Sequence, residues 1–380
     1  MAARRPRQPA ARQASSATPS RRASPAAPPR PAKSAMPSRP AKSAQSSRVP
    51  IALALQGGGA HGAFTWGVLD ALLEDGRLEF EGITGASAGA MNAVVLAEGW
   101  RRGKSRRTDP REAAREHLRR FWQGVAALPG AFAPEWLLAT LGQGATAWSD
   151  VWSHFVSPYQ VNPFDYNPLR DLLAPLVDFD ALRARAPCKL FVCATNVRTG
   201  RARVFREHEL TCDMLLASAA LPMTFRAVEI DGEAYWDGGY MGNPALYPLF
   251  YAVRTADLLL VQINPLRRDD VPDRPHEILE RINEISFNAS LLHELRAIAF
   301  VQRLLDEHRV DPRQYKRINL HMIEAEQQLA RLGAASKSVT SRSFLEQLHE
   351  LGRQAAIDWL DRSIHYVGHA PSVRIGDRFL

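Results

Sequence analysis

The chain has 380 residues, enough to bury one large core or two smaller ones, and its apolar (46%) and charged (23%) contents are those of an ordinary globular protein. Its net charge of +8 belongs to a tail: residues 1–48 hold eleven Arg and Lys and no Asp or Glu, which leaves the body at −3 and argues against a nucleic-acid-binding body. Cys188, Cys193 and Cys212 show no metal-type spacing and leave an odd count, which argues against a disulfide framework and for a reducing, cytoplasmic setting.

No apolar run reaches the roughly 18 residues needed to span a bilayer, and the basic N-terminus lacks the apolar stretch of a signal peptide. Residues 1–48 are rich in Ala, Pro, Ser and Arg, a composition that predicts disorder. Three readings of this tail stay open. It is a solvated segment, an overextended start ahead of Met36, or an electrostatic tether for anionic membrane or nucleic acid.

Residues 51–55 form a short, continuously apolar run, as a buried strand requires. A glycine turn follows. Residues 63–73 then read as a helix with Val68, Leu69, Leu72 and Leu73 inward, stopped at Asp75-Gly76. Residues 80–84 read as a second strand, leading into a second glycine turn and a small-residue helix over 88–100. The charged stretch 101–111 reads as an exposed loop, and 112–125 as an amphipathic helix with Leu118, Phe121 and Trp122 on one side. Residues 129–166 concentrate aromatic side chains; they read either as a lid or acyl-chain pocket or as ordinary core.

A helix begins at residues 167–173, and 189–195 is a buried strand with 201–206 pairing beside it. Thr211 is placed to cap a helix that ends before Pro222. Asp231-Gly232 joins two short strands as a hairpin. Residues 257–263 form one more buried strand. Beyond Asn264 the chain is mainly helical (278–305 and 343–359), with a last strand over 317–323. Buried strands alternating with helices predict an α/β sheet covered on both faces.

Two turns carry candidate chemistry. Ser87 stands at the centre of G-x-S-x-G, between strand and helix, where a nucleophile elbow is expected; Gly85 and Gly89 flank it. The helix after it directs its positive end at Oγ. Gly57, Gly58 and Gly59 can converge their amides on a tetrahedral oxyanion, each donor contributing a factor of about 10²–10³ in rate. With Gly62, however, the same turn also fits the dinucleotide fingerprint, with Glu79 or Glu81 as its acidic partner. Asp237, held by Gly238 and Gly239, is a candidate general base or a common turn aspartate. His321, His349, His365 and His369 follow Asp237 in the chain order of a Ser-Asp-His triad, but each reads more simply as a surface or cap residue.

The ordered trio GGGAHG, GASAG and DGG, together with Ser218-Ala219-Ala220-Leu221-Pro222 and YWDGGYMGNP, resembles the patatin-like phospholipase family. The resemblance covers roughly residues 50–250. It implies a three-layer α/β/α fold with a mainly parallel sheet and a Ser–Asp dyad without histidine, metal or cofactor. By position, Ser87 is then the nucleophile, Asp237 the general base, and the Gly57–Gly59 amides the oxyanion hole, with His61 where relatives often carry Arg or Lys. The implied substrate is a lipid ester; the basic tail over 1–48 adds an expected peripheral contact with anionic membrane, and no nucleic acid is expected. The expected domains are a tail over 1–48, a catalytic domain over 49–264, and, outside the resemblance, a helical extension over 265–380 packed on that domain. Alternatives are a nucleotide-binding protein and an inert lipid-binding relative.

Overall fold

The computed structural model describes residues 48–128, 157–162, 164–268, 271–333 and 335–379, all within one unit that spans residues 46–380. The tail up to residue 47 and residues 129–156 of the aromatic insertion lie outside the described residues. Three aromatics of that insertion are described, and Tyr159, Phe164 and Tyr166 are all exposed rather than core.

Strand β1 (Val49–Leu55) lies between β2 (Leu78–Ala86) and β7 (Asp257–Gln262), parallel to both. Ile51, Leu53 and Leu55 enter one apolar cluster, Ala52 and Ala54 another, as the two-residue period of a strand demands. Both faces are covered, which is why the sequence shows an unbroken apolar run there.

The first face is covered by α1 (Gly62–Asp75), α2 (Ala88–Arg106) and α3 (Pro110–Ala127), which contribute Phe64, Leu69, Val94, Phe121 and Trp122. A short helix, α4 (Cys212–Ser218), adds Leu215 and Leu216 to it. The second face is covered by α5 (Pro275–Asp306) through Leu291, Leu295 and Ile298. Helix α6 (Arg342–Ser363) returns to the first face, where His349 lies 3.9 Å from the ring of Trp66. Asp70 of α1 pairs there with Arg115 of α3 and Arg353 of α6.

One expectation needs correction. Of the charged stretch 101–111, residues 101–106 are not a loop, since α2 continues to Arg106, and only 107–109 form an exposed turn before α3. Arg101 and Arg102 reach back three and four residues to the buried Glu98, so the start of the charge run is a paired helix face. Arg107 ends the helix in a left-handed conformation, and Asp109 caps α3.

The remaining strands are β3 (Lys189–Asn196), β4 (Ala202–Arg206), β5 (Val228–Ile230), β6 (Glu233–Asp237) and β8 (Asn319–Glu324). They complete an eight-stranded mixed sheet, ordered β5-β6-β3-β2-β1-β7-β8, with β4 on β3. Asp231 and Gly232 both take positive φ, as the tight hairpin between β5 and β6 requires. The part of the chain past Asn264 thus supplies an edge strand as well as helices.

The register on β3 positions the site. β4 takes one edge of β3, at residues 191–195, so β2 (at 189–193) and β6 (at 194–196) must share the other. Ala86 lies opposite Cys193, and Asp237 lies opposite Ala194, the next residue along. β2 runs parallel to β3 and β6 antiparallel. Their tips therefore meet, one leading into Ser87 and the other ending in Asp237. No described helix is long and apolar enough to cross a membrane.

Candidate active site

Ser87 follows β2 directly and precedes α2, with φ 51° and ψ −127°. A non-glycine residue held there costs about 1–3 kcal/mol and persists only where its surroundings impose it. They do so through Ser218 at the end of α4. The Ser87 N–H donates to the Ser218 carbonyl (3.1 Å) and hydroxyl (2.9 Å), and that hydroxyl donates to the Cys193 carbonyl (2.6 Å). The Ser87 side chain makes no capping bond to α2. Its hydroxyl is left beside the helix's first, unpaired amides, where partial positive charge favours an alkoxide.

The two turns lie against each other because the glycines at their contact carry no side chains. A Cβ on Gly57 would fall 2.6 Å from the Ala86 carbonyl and 2.7 Å from Ser87 Cβ. One on Gly89 would fall 2.2 Å from the Leu55 carbonyl, so only glycine seats the start of α2 against the end of β1. Gly62 packs on Ala88, Gly85 on the Gly89–Ala90 backbone, Gly238 on Cys193 and Gly239 on Phe287.

Asp237 is fully buried, its N–H donating to the Ala220 carbonyl (2.9 Å) and its own carbonyl accepting from Thr195 Oγ1 (2.8 Å). Oδ1 accepts the Gly239 N–H at 2.7 Å, while Oδ2 has no partner of good geometry. Burial pushes the carboxyl up from 3.8 to about 7, against the Gly239 N–H and the nearby Ser87 hydroxyl, which both draw it down. A carboxylate poised near neutrality with one open oxygen beside a serine is suited to accept its proton.

Of the three glycine amides expected to form an oxyanion hole, one is already engaged. The Gly57 N–H donates to Asn243 Oδ1 at 2.6 Å, and its carbonyl accepts from Asn264 Nδ2 at 2.7 Å. Neither the Gly58 nor the Gly59 N–H donates to another described residue, so these two are available. His61 is buried, and its Nε2 meets Ser336 Oγ at 2.7 Å. Because that hydroxyl donates to the Gly333 carbonyl, it accepts from His61, which leaves Nδ1 bare and unpartnered. Burial, then the charge of Lys337, lowers the imidazole to about 3. His61 is thus neutral and not a fixed charge.

The dinucleotide reading fails on placement. Glu79 lies opposite Pro50, and Glu81 accepts the Arg254 and Thr255 N–H groups. Both stand near the start of β2; Glu79, opposite Pro50, lies five strand residues, roughly 16 Å at about 3.3 Å each, from the end of β1 that leads into the glycine turn. The late histidines do not complete a triad. His321 is buried rather than on the surface, bonded to Asp257 and Ser372, both at 3.0 Å. The His349 ring lies tilted against Trp66 with centroids 3.9 Å apart, and the His365 ring lies 4.2 Å from Tyr366. No described histidine hydrogen-bonds to Ser87 or Asp237. Among the described residues, no group of three or more His, Cys, Asp or Glu comes together as a metal site.

Sequence reasoning missed a buried amide network that holds the first turn. Gln56 Oε1 accepts the Ile263 and Asn264 N–H groups, and its Nε2 donates to the Asn243 carbonyl and to Asn288. The available signal was an amide side chain directly after an apolar strand, at Gln56 and again at Asn264.

The family model for Patatin-like phospholipase matches residues 53–253, just over half of the chain. No curated protein sequence matches. Among solved structures, VipD from Legionella pneumophila aligns at 16% identity and a TM-score of 0.38, over 83% of this chain and 67% of that one. The Pseudomonas aeruginosa complex of full-length SpcU with full-length ExoU aligns at 16% identity and a TM-score of 0.31, over 80% of this chain and 54% of that one. The family match spans both glycine turns, the Ser87 elbow and the strand that ends in Asp237, and on that match the chain belongs to the patatin-like phospholipase family.

Proposed function

We propose that this protein is a serine lipid acyl hydrolase, of phospholipase A type or a related esterase, working through a Ser87–Asp237 dyad. The observation that carries this reading is the meeting of two strand tips on β3: a strained, uncapped serine beside a buried aspartate with one open oxygen. Asp237 Oδ2 accepts the hydroxyl proton as Ser87 Oγ attacks the ester carbonyl. The Gly58 and Gly59 amides and the start of α2 stabilise the oxyanion. Asp237 returns the proton to the departing alcohol or lysolipid, leaving an acyl-serine. It then takes a proton from water, whose oxygen attacks the acyl carbon, and returns that proton to Ser87 Oγ as the fatty acid leaves. Family membership supports the lipid ester as substrate class. The eleven basic and no acidic residues of 1–48 support peripheral contact with anionic lipid.

The test is covalent labelling with a fluorophosphonate, followed by a glycerolipid and lysolipid panel read by mass spectrometry. Label on Ser87 and fatty-acid release that Ser87→Ala abolishes are expected. Release that survives Ser87→Ala would sink the dyad, and labelling without release from any lipid would favour an inert lipid-binding relative.

A further inference from the structure

The Gly57 carbonyl belongs to the same peptide as the Gly58 N–H, so whatever bonds to that carbonyl also acts on the amide behind it. Asn264, fully buried, donates Nδ2 to the Gly57 carbonyl at 2.7 Å and to Gln56 Oε1 at 3.2 Å. Its Oδ1 accepts from Lys337 Nζ at 2.8 Å. Amide orientation is fixed here by chemistry. Gln56 Oε1 takes two backbone N–H groups and must be oxygen, so the Asn264 atom facing it must be nitrogen, and an ammonium can only face oxygen.

Lys337 also touches the turn through its backbone, since a Cβ on Gly59 would lie 2.4 Å from its carbonyl. Nearby, Glu284 meets Arg268 (2.6 Å), Arg281 (3.2 Å) and Lys337 (3.7 Å), so three cations share one carboxylate and the cluster stays positive.

We infer that Lys337 and Asn264 form a relay that polarises the oxyanion-hole peptide. The ammonium polarises the Asn264 amide, the amide polarises the Gly57–Gly58 peptide, and the Gly58 N–H becomes a stronger, fixed donor to the oxyanion. Hydrogen-bonded chains strengthen in this way, and a charged end strengthens them further. The inference rests on the proposed acyl-transfer reading of the same site. Lys337 and Asn264 are positioning residues, and neither needs to touch the ester. Both lie outside the span matched by the family model.

The test compares full-length wild type, Lys337→Met, Lys337→Arg, Asn264→Ala and the Lys337→Met/Asn264→Ala pair on a water-soluble ester. Since loss of a whole oxyanion donor costs about 10²–10³ in kcat, loss of its polarisation is expected to lower kcat about tenfold in Lys337→Met, with KM unchanged within about twofold. Lys337→Arg should recover most of that loss, and the paired variant should be no slower than Asn264→Ala. The infrared carbonyl band of the acyl-Ser87 intermediate should move to higher frequency in Lys337→Met, a change that loss of packing alone would not cause. If Lys337→Met does not fold, Lys337→Gln carries the same expectations. Unchanged kcat, additive losses or an unmoved band would overturn the relay while Ser87 labelling and turnover in wild type leave the dyad standing. Full hydrolysis by Ser87→Ala would overturn both.

Discussion

Replacing Asp237 with Asn should remove activity yet make the protein more stable, and the pH dependence of that gain identifies its cause. The carboxyl titrates near 7 when folded against an ordinary 3.8, so the folded protein holds this proton more tightly than the unfolded chain does. Below about pH 4 both states are protonated and nothing is lost. Between about 4 and 7 the unfolded chain ionises first, and wild-type stability falls as pH rises. Above about 7 both states are ionised and the loss is complete. At about 1.4 kcal/mol per tenfold change in proton affinity, it is on the order of 4 kcal/mol. Asn cannot ionise and keeps the bond from the Gly239 N–H, but its Nδ2 would occupy the position where Oδ2 now lacks a partner. An unsatisfied buried donor costs roughly 1–3 kcal/mol, so the net gain at high pH is about 1–3 kcal/mol. Urea unfolding of both proteins from pH 4 to pH 9 measures this. The difference should climb by several kcal/mol up to about pH 7 and then flatten. Glu294, which burial also pushes up to about 7, titrates in both proteins and cancels. A difference that stays constant across the range would refute the burial argument for Asp237.

Two further outcomes are expected. Because Asp237 must be ionised to accept the Ser87 proton, kcat/KM should rise with pH along a limb centred near 7; a rate that is flat from pH 5 to pH 9 would remove Asp237 as the base. Gly57→Ala places a methyl 2.6 Å from the Ala86 carbonyl, so the two turns must separate. A displacement of about 1 Å can cost a factor of 10², and activity should fall by at least that much; a loss below threefold would show that the turns do not need this contact.

Much of the core arrangement was legible because it depends on local order. Residues 51–55 and 258–261 announced buried strands by unbroken apolar runs, and Asp231-Gly232 announced its hairpin. Ser87 was legible because G-x-S-x-G fell between a strand and a helix. Asp237 needed the resemblance, since Asp-Gly-Gly is a common turn and nothing local shows that β6 ends against β3. The polar support of the first turn was hidden for the same reason: Gln56, Asn243, Asn264 and Lys337 meet only after folding. Residues 101–106 mislead because charge alone points to a loop, whereas Glu98 pairs with Arg101 and Arg102 along the same helix.

The order of strands has a practical consequence for anyone dissecting the protein. The family match stops at residue 253, yet β1 has β7 as its neighbour, and β7 begins at Asp257. A fragment cut at the match boundary would keep Ser87 and Asp237 and still expose one whole side of β1. That bare, apolar edge is a template for pairing with other chains, so such a fragment should aggregate rather than behave as a minimal catalytic unit.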